Sequence, residues 1–158
     1  MQYWILQHSP SLLPGDTPYP PGIPPNMDYW HISRYAGQAA IDDVAFIWHA
    51  GVHRGIYDVA KVRSVPPHNA DAERLIDVLK RSDDHLWADR DAKRRLRGLP
   101  TILIERQYLG ELKRPLLVSE LQRNGFGDLP VIAMPQRGIY RVGQAVGARL
   151  LEYIRQRP

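Results

Sequence analysis

The sequence predicts an α+β fold: a curved, mostly antiparallel sheet or small β-barrel with peripheral helices. Three observations carry that expectation. Strand-length apolar runs are joined by hairpin-type connections, helical spacing is confined to short segments of which one closes the chain, and regular βαβ alternation is absent. The 158 residues, 44% apolar and without cysteine, fit one domain over 1–158 that buries a core without staples.

Tyr3 to Gln7 is aromatic and aliphatic up to Ser9-Pro10 and reads as the first strand. Seven prolines and two glycines between Pro10 and Pro25 then exclude helix and central strand, leaving a long loop of the kind that often serves as a lid. Asp28 to Tyr35 leads into one or two helical turns before Ile41, and Asp42-Asp43 supplies a turn. The unbroken apolar run Val44 to Trp48 suits a central strand buried on both faces, and Gly55 to Arg63 alternates, so the pair forms a hairpin. Asn69 caps a helix over Ala70 to Arg81, with Leu75, Ile76 and Leu79 at helical spacing, and a second helical piece runs from Trp87 to Arg97. Thr101 to Leu109 is a long strand, Leu116 to Arg123 a helix and Ile139 to Val142 a short strand. The last helix, Gly143 to Gln156, turns Val146, Leu150, Tyr153 and Ile154 to one side.

Composition removes several chemistries. Without cysteine there is no thiol nucleophile and no Cys-ligated zinc or iron–sulfur cluster, and a reducing cytoplasm is the compatible location. The first residues lack the basic segment of a secretory signal, and no apolar stretch approaches the ~20 residues that span a bilayer, so a soluble protein without a membrane partner is expected. Neither a Walker pattern nor G-x-G-x-x-G occurs. His49 and His53 stand four apart on a hairpin rather than a helix and lack the Glu of H-E-x-x-H, so no metal and no cofactor is expected. Residues 1–89 carry 7 basic and 11 acidic side chains and residues 90–158 carry 14 and 6, densest at Arg90 to Arg97; that asymmetry suits either a solvated helix face or a polyanion.

Aromatic residues point further. Trp4, Trp30 and Trp48 stand on or beside sheet elements, Trp30 just after the long loop. Trp4 reads as core, whereas an indole at a strand edge can line a slot for a flat ligand, where stacking a base is worth roughly 1–3 kcal/mol.

In order, Tyr3-Trp4-Ile5-Leu6-Gln7, Tyr29-Trp30-His31-Ile32-Ser33-Arg34-Tyr35, Asp43-Val44-Ala45-Phe46-Ile47-Trp48-His49-Ala50-Gly51, Gly55-Ile56-Tyr57 and the late Pro135-Gln136-Arg137-Gly138-Ile139-Tyr140 resemble an EVE domain over nearly the whole chain. The resemblance implies a PUA-like fold related to the YTH readers of methylated adenine in RNA. It also implies a non-catalytic module that takes an extruded modified base, a modified cytosine in DNA being favoured. Carried over position by position, Trp30 would stack on the base, with Trp48 as second wall and His31, Ser33 and His49 as polar neighbours. A further cage aromatic follows the hairpin in the YTH relatives, where this chain has Trp87. Arg34 and the turn Gln136, Arg137 and Gly138 would meet phosphate. The chain departs from the family pattern at Asp42-Asp43, where relatives commonly show Gly-Asp, and at Arg137-Gly138-Ile139, which replaces a Gly-Thr step.

The expected partner is therefore nucleic acid, modified DNA before RNA. An RNA reader of the same fold is the alternative, and a hydrolase or nuclease using His31 or His49 is the reading from another class.

Overall fold

A computed structural model describes residues 1–8, 22–24, 26–32, 35, 37–82, 91, 98–107, 112–135 and 138–157. Seven strands form one mixed sheet: β1 (Tyr3–His8), β2 (Met27–His31), β3 (Val44–His49), β4 (Gly55–Ser64), β5 (Thr101–Arg106), β6 (Leu116–Leu117) and β7 (Ile139–Val142). The spatial order is β2-β5-β4-β3-β1-β7, with the short β6 paired to the start of β4. Every pairing is antiparallel except β1 with β3. Four helices are described: α1 (Ala70–Ser82), α2 (Val118–Arg123), α3 (Pro130–Ala133) and α4 (Gln144–Gln156).

The expected α+β class holds, but the sheet is an open path with β2 and β7 at its ends rather than a closed barrel. It is strongly curled all the same. β2 and β1 lie four strand spacings apart, about 19 Å in a flat sheet, yet the ring centroids of Trp30 on β2 and His8 on β1 are 6.5 Å apart.

Alternation along each strand divides the core into a concave and a convex side. The concave side holds Trp4, Leu6, Ala45, Ile47, Ala60, Val62, Ile102 and Ile104. On the convex side, Tyr3, Ile5, Phe46, Trp48 and Val142 pack with Leu121, Val131, Leu150 and Ile154 from the helices. Further along that side, Tyr29 and Leu103 meet Ile76 and Leu79 of α1. β3 is buried along its length apart from His49, as its unbroken apolar run predicts for a central strand. The Asn69 cap is present, its side-chain oxygen accepting the Ala72 N–H at 2.8 Å. α4 lies so close to β1 that a Cβ on Gly147 would overlap the Tyr3 ring, which explains a glycine in mid-helix.

The Asp42-Asp43 turn does more than reverse the chain. Asp42 has φ 74°, a left-handed conformation that glycine adopts without strain, so the Gly-Asp of the EVE pattern has a backbone reason here. Asp43 is 1% exposed, and its carboxylate accepts the Gln2 N–H, the Trp4 indole N–H and the Ala40 N–H at 2.8, 2.9 and 2.9 Å. Trp4 is a core residue, as expected.

Several elements differ from the sequence reading. β6 precedes α2 where one helix is expected, α3 is not foreseen, and the strand from Thr101 ends at Arg106. Most of the proline-rich segment, and all of the helical piece at 87–97 except residue 91, lie outside the described residues. Among the described residues no helix is long and apolar enough to cross a membrane.

Candidate functional site

At one end of the concave side the apolar pattern gives way to rings and charges. β1 and β3 run parallel in a register that sets His8 directly opposite His49, two residues beyond the Leu6–Ile47 pairing and on the same side of the sheet. Their imidazole centroids are 5.2 Å apart. A β-bulge in β4 leaves Tyr57 as an extra residue between Ile56 and Asp58, and its ring stacks on His49 at 4.1 Å with 7° between planes. The Tyr57 hydroxyl donates to the His53 carbonyl at 2.7 Å, which fixes that ring. Trp30 reaches across from β2 to meet His8 edge-on. Trp30, His8, His49 and Tyr57 thus form a row of rings across the mouth of the curl, each only partly exposed.

Beneath the row lies an ion pair. The Arg106 Nε–H donates to Asp58 Oδ2 at 2.9 Å, with side chains 10% and 0% exposed. Asp58 Oδ1 accepts the Val59 N–H at 2.7 Å. Asp28 adds a second carboxylate 3.7 Å from Arg106, its side chain 30% exposed. Buried charges on a face otherwise built of apolar side chains cost desolvation that apolar residues would avoid, which makes this end of the face a functional candidate.

Burial, the neighbouring His8 and the Arg106 charge push the His49 pKa from 6.5 down to about 4. Burial, then Lys80, does the same to His31. Both rings are therefore neutral at pH 7. Because the folded-state values lie below the free value, unfolding takes up protons between them, and the stability involved is complete above pH 6.5 and lost as the pH falls toward 4. The urea midpoint should drop across that window. The drop should be shallower in a His31→Leu, His49→Leu double variant, which separates the histidines from the buried carboxylates; parallel curves for the two proteins would contradict this assignment.

Of the residues expected at the site, Trp30 and His49 come together on the concave side. Trp48 does not join them: it is 1% exposed in the convex core, because its neighbour Ile47 is the β3 residue that faces inward. Nor is His31 beside Trp30, since alternation turns it outward, with its ring 5.5 Å from Tyr29. Its Nδ1 is buried without a hydrogen-bond partner among the described residues. Gly138 is exposed and accepts the Gln7 N–H through its carbonyl at 2.9 Å, one residue from His8. Ser33, Arg34, Trp87, Gln136 and Arg137 lie outside the described residues.

The sequence reading missed His8, Asp28, Tyr57, Asp58 and Arg106. A signal existed for one of them: Asp58 interrupts a strand whose neighbouring positions are apolar. Among the described residues no three His, Asp or Glu side chains converge to hold a metal ion.

No protein-family model matches the chain, and no curated protein matches it. Solved structures do. Human THYN1, in a complex with 5-methylcytosine-containing DNA, superposes with a TM-score of 0.61 at 11% identity, covering 100% of both chains. A hypothetical protein from Leishmania major gives 0.60 at 13%, covering 99% of this chain and 96% of that one. The DUF55 domain of human thymocyte nuclear protein 1 gives 0.57 at 12%, covering 98% and 99%. The chain therefore shares the α+β fold of these solved structures, the DUF55 domain among them.

Proposed function

We propose that this protein is a non-catalytic nucleic-acid-binding module that takes an extruded modified base against Trp30, with 5-methylcytosine in DNA as the first candidate. The observation that carries the reading is the row Trp30, His8, His49 and Tyr57 at the mouth of a curled sheet whose inner end is packed with aliphatic side chains. A flat heterocycle matches flat rings, and stacking contributes roughly 1–3 kcal/mol per base. Extrusion from a duplex costs a few kcal/mol, so polar contacts to the base edge must supply the rest; the two imidazoles and the Asp28–Arg106 pair near Trp30 support the reading as candidates for such contacts. The DNA complex of human THYN1, which shares the fold, supports the choice of ligand. His49, with a pKa near 4 and its ring on Tyr57, is a weak proton acceptor at neutral pH, which favours binding over hydrolysis.

Trp30→Ala tests the reading. On duplexes differing only in one 5-methylcytosine, the preference for the modified duplex should fall about 5- to 100-fold, while affinity for plain DNA changes little. Trp30→Phe, which keeps a ring against the concave core, should retain part of the preference. Equal preferences in parent and alanine variant would remove Trp30 from the site. Affinity for either duplex should drop steeply between about 50 and 200 mM salt, because phosphate contacts release counterions. A matched RNA that outcompetes the DNA would reassign the module to RNA.

A further inference from the structure

We infer that Val52, at the tip of the β3–β4 hairpin, enters the base stack of a duplex and fills the space that the extruded base leaves; this rests on the reading of Trp30 as the platform for that base. β3 ends at His49 and β4 begins at Gly55, so residues 50–54 stand at the end of the sheet that carries the row of rings. Val52 is 95% exposed. A single exposed apolar side chain is ordinary on a protein surface, but the position of this one is not. The loop that carries it is tied to the site and its surroundings at three points. The Ala50 N–H donates to the His8 carbonyl at 3.1 Å, the Tyr57 hydroxyl to the His53 carbonyl at 2.7 Å, and the Val118 N–H to the Arg54 carbonyl at 3.2 Å. Gly51, at φ 109°, supplies a backbone conformation that a side chain would strain. A β-branched side chain is also stiff at χ1, so Val52 has little freedom left to lose on binding.

The charges beside the tip point to the partner. Arg54 follows it directly, and the Leu112 N–H donates to the Tyr57 carbonyl, which brings Lys113 to the same end of the sheet. Lys113 is exposed and Arg54 half-buried, and neither pairs with a carboxylate among the described residues. An apolar tip between two free cations fits a duplex, whose phosphates lie outside and whose flat apolar faces lie within. Val52 is three residues from His49 in the chain, which limits their Cα separation to ~10 Å, close to a groove depth of roughly 7.5–8.5 Å. One duplex can therefore give up a base to the ring row and receive Val52 in its place. Extrusion leaves the neighbouring bases unstacked, and an apolar side chain wedged between them covers the faces that water would otherwise meet.

The test uses the full chain and one strand carrying a single 5-methylcytosine, presented either alone or paired with its complement; only the paired form leaves a gap to fill. Val52→Ala should weaken binding of the paired form about 5- to 15-fold, the worth of two buried methyl groups. Its affinity for the single strand and its thermal midpoint should stay near the parent's, as expected for a fully exposed position. Val52→Leu, which keeps the apolar bulk, should bind the paired form nearly as the parent does. A 2-aminopurine next to the 5-methylcytosine brightens when its stacking is lost, so at saturating protein it should brighten more with the parent than with Val52→Ala. Parent-like binding of the paired form by Val52→Ala, equal loss on the single strand, or equal brightening would overturn the assignment. Failure of the wedge and failure of the platform read differently: if Trp30→Ala loses the preference for 5-methylcytosine while Val52→Ala binds like the parent, only the wedge falls; if Trp30→Ala keeps that preference, the platform falls and the wedge with it.

Discussion

Asp43→Ala is expected to lower stability by about 2–4 kcal/mol, because three donors lose their acceptor at once: the buried Trp4 indole N–H costs ~1–3 kcal/mol when stranded, and the part-buried Gln2 and Ala40 N–H groups, which water can reach, add less. The three come from different parts of the chain: the Gln2 backbone, the Trp4 indole and the Ala40 backbone. Their common acceptor ties the start of β1 to the loop before β3, and these are the strands whose far ends carry His8 and His49. Asp43→Asn keeps one acceptor oxygen and should cost less. Trp4→Phe removes one donor, so combined with Asp43→Ala it should cost less than the sum of the two single changes. Urea denaturation of the four variants measures this cycle. An alanine variant within about 1 kcal/mol of the parent would mean that water takes over from the carboxylate.

Much of this framework was legible in the sequence, since local pattern and burial agree there. The run Val44 to Trp48 reads as a central strand, the spacing of Ile76 and Leu79 behind Asn69 reads as a capped helix, and both are observed. β6, two residues long, exists only because β4 lies beside it, and no local signal announces such a strand. The site was harder for the same reason. Alternation shows that Trp48 and Ile47 face opposite ways but not which way the helices lie, and the helices claimed the Trp48 side. His8, Tyr57 and Arg106 become neighbours of His49 only through strand register and a bulge, and Asp58 and Arg106 are 48 positions apart. The ordered motifs of the EVE resemblance implied Trp30 and His49; pairwise spacing alone could not assemble the rest.

Arg106→Ala should lower stability by about 3–5 kcal/mol by removing the guanidinium that pairs with the Asp58 carboxylate, 0% exposed. The comparison with Asp58→Leu, Arg106→Leu in one chain separates architecture from function. A well-packed apolar pair commonly equals or exceeds a buried ion pair in stability, so the double variant should regain most of what Arg106→Ala loses. If the pair served only to hold β4 to β5, DNA binding would return together with stability. At a recognition site the opposite holds: Arg106 anchors Asp28 and its charge lies near His49, so the refolded double variant should remain unable to prefer 5-methylcytosine while its salt-dependent affinity for plain DNA persists. Denaturation and binding measured on the same samples decide between these, and recovery of both would assign the ion pair to the scaffold alone. The prediction follows from where the charges stand: a sheet needing only cohesion at this position could fill it with leucine, whereas a surface that must recognise one edge of a flat polar molecule requires fixed charges near the opening.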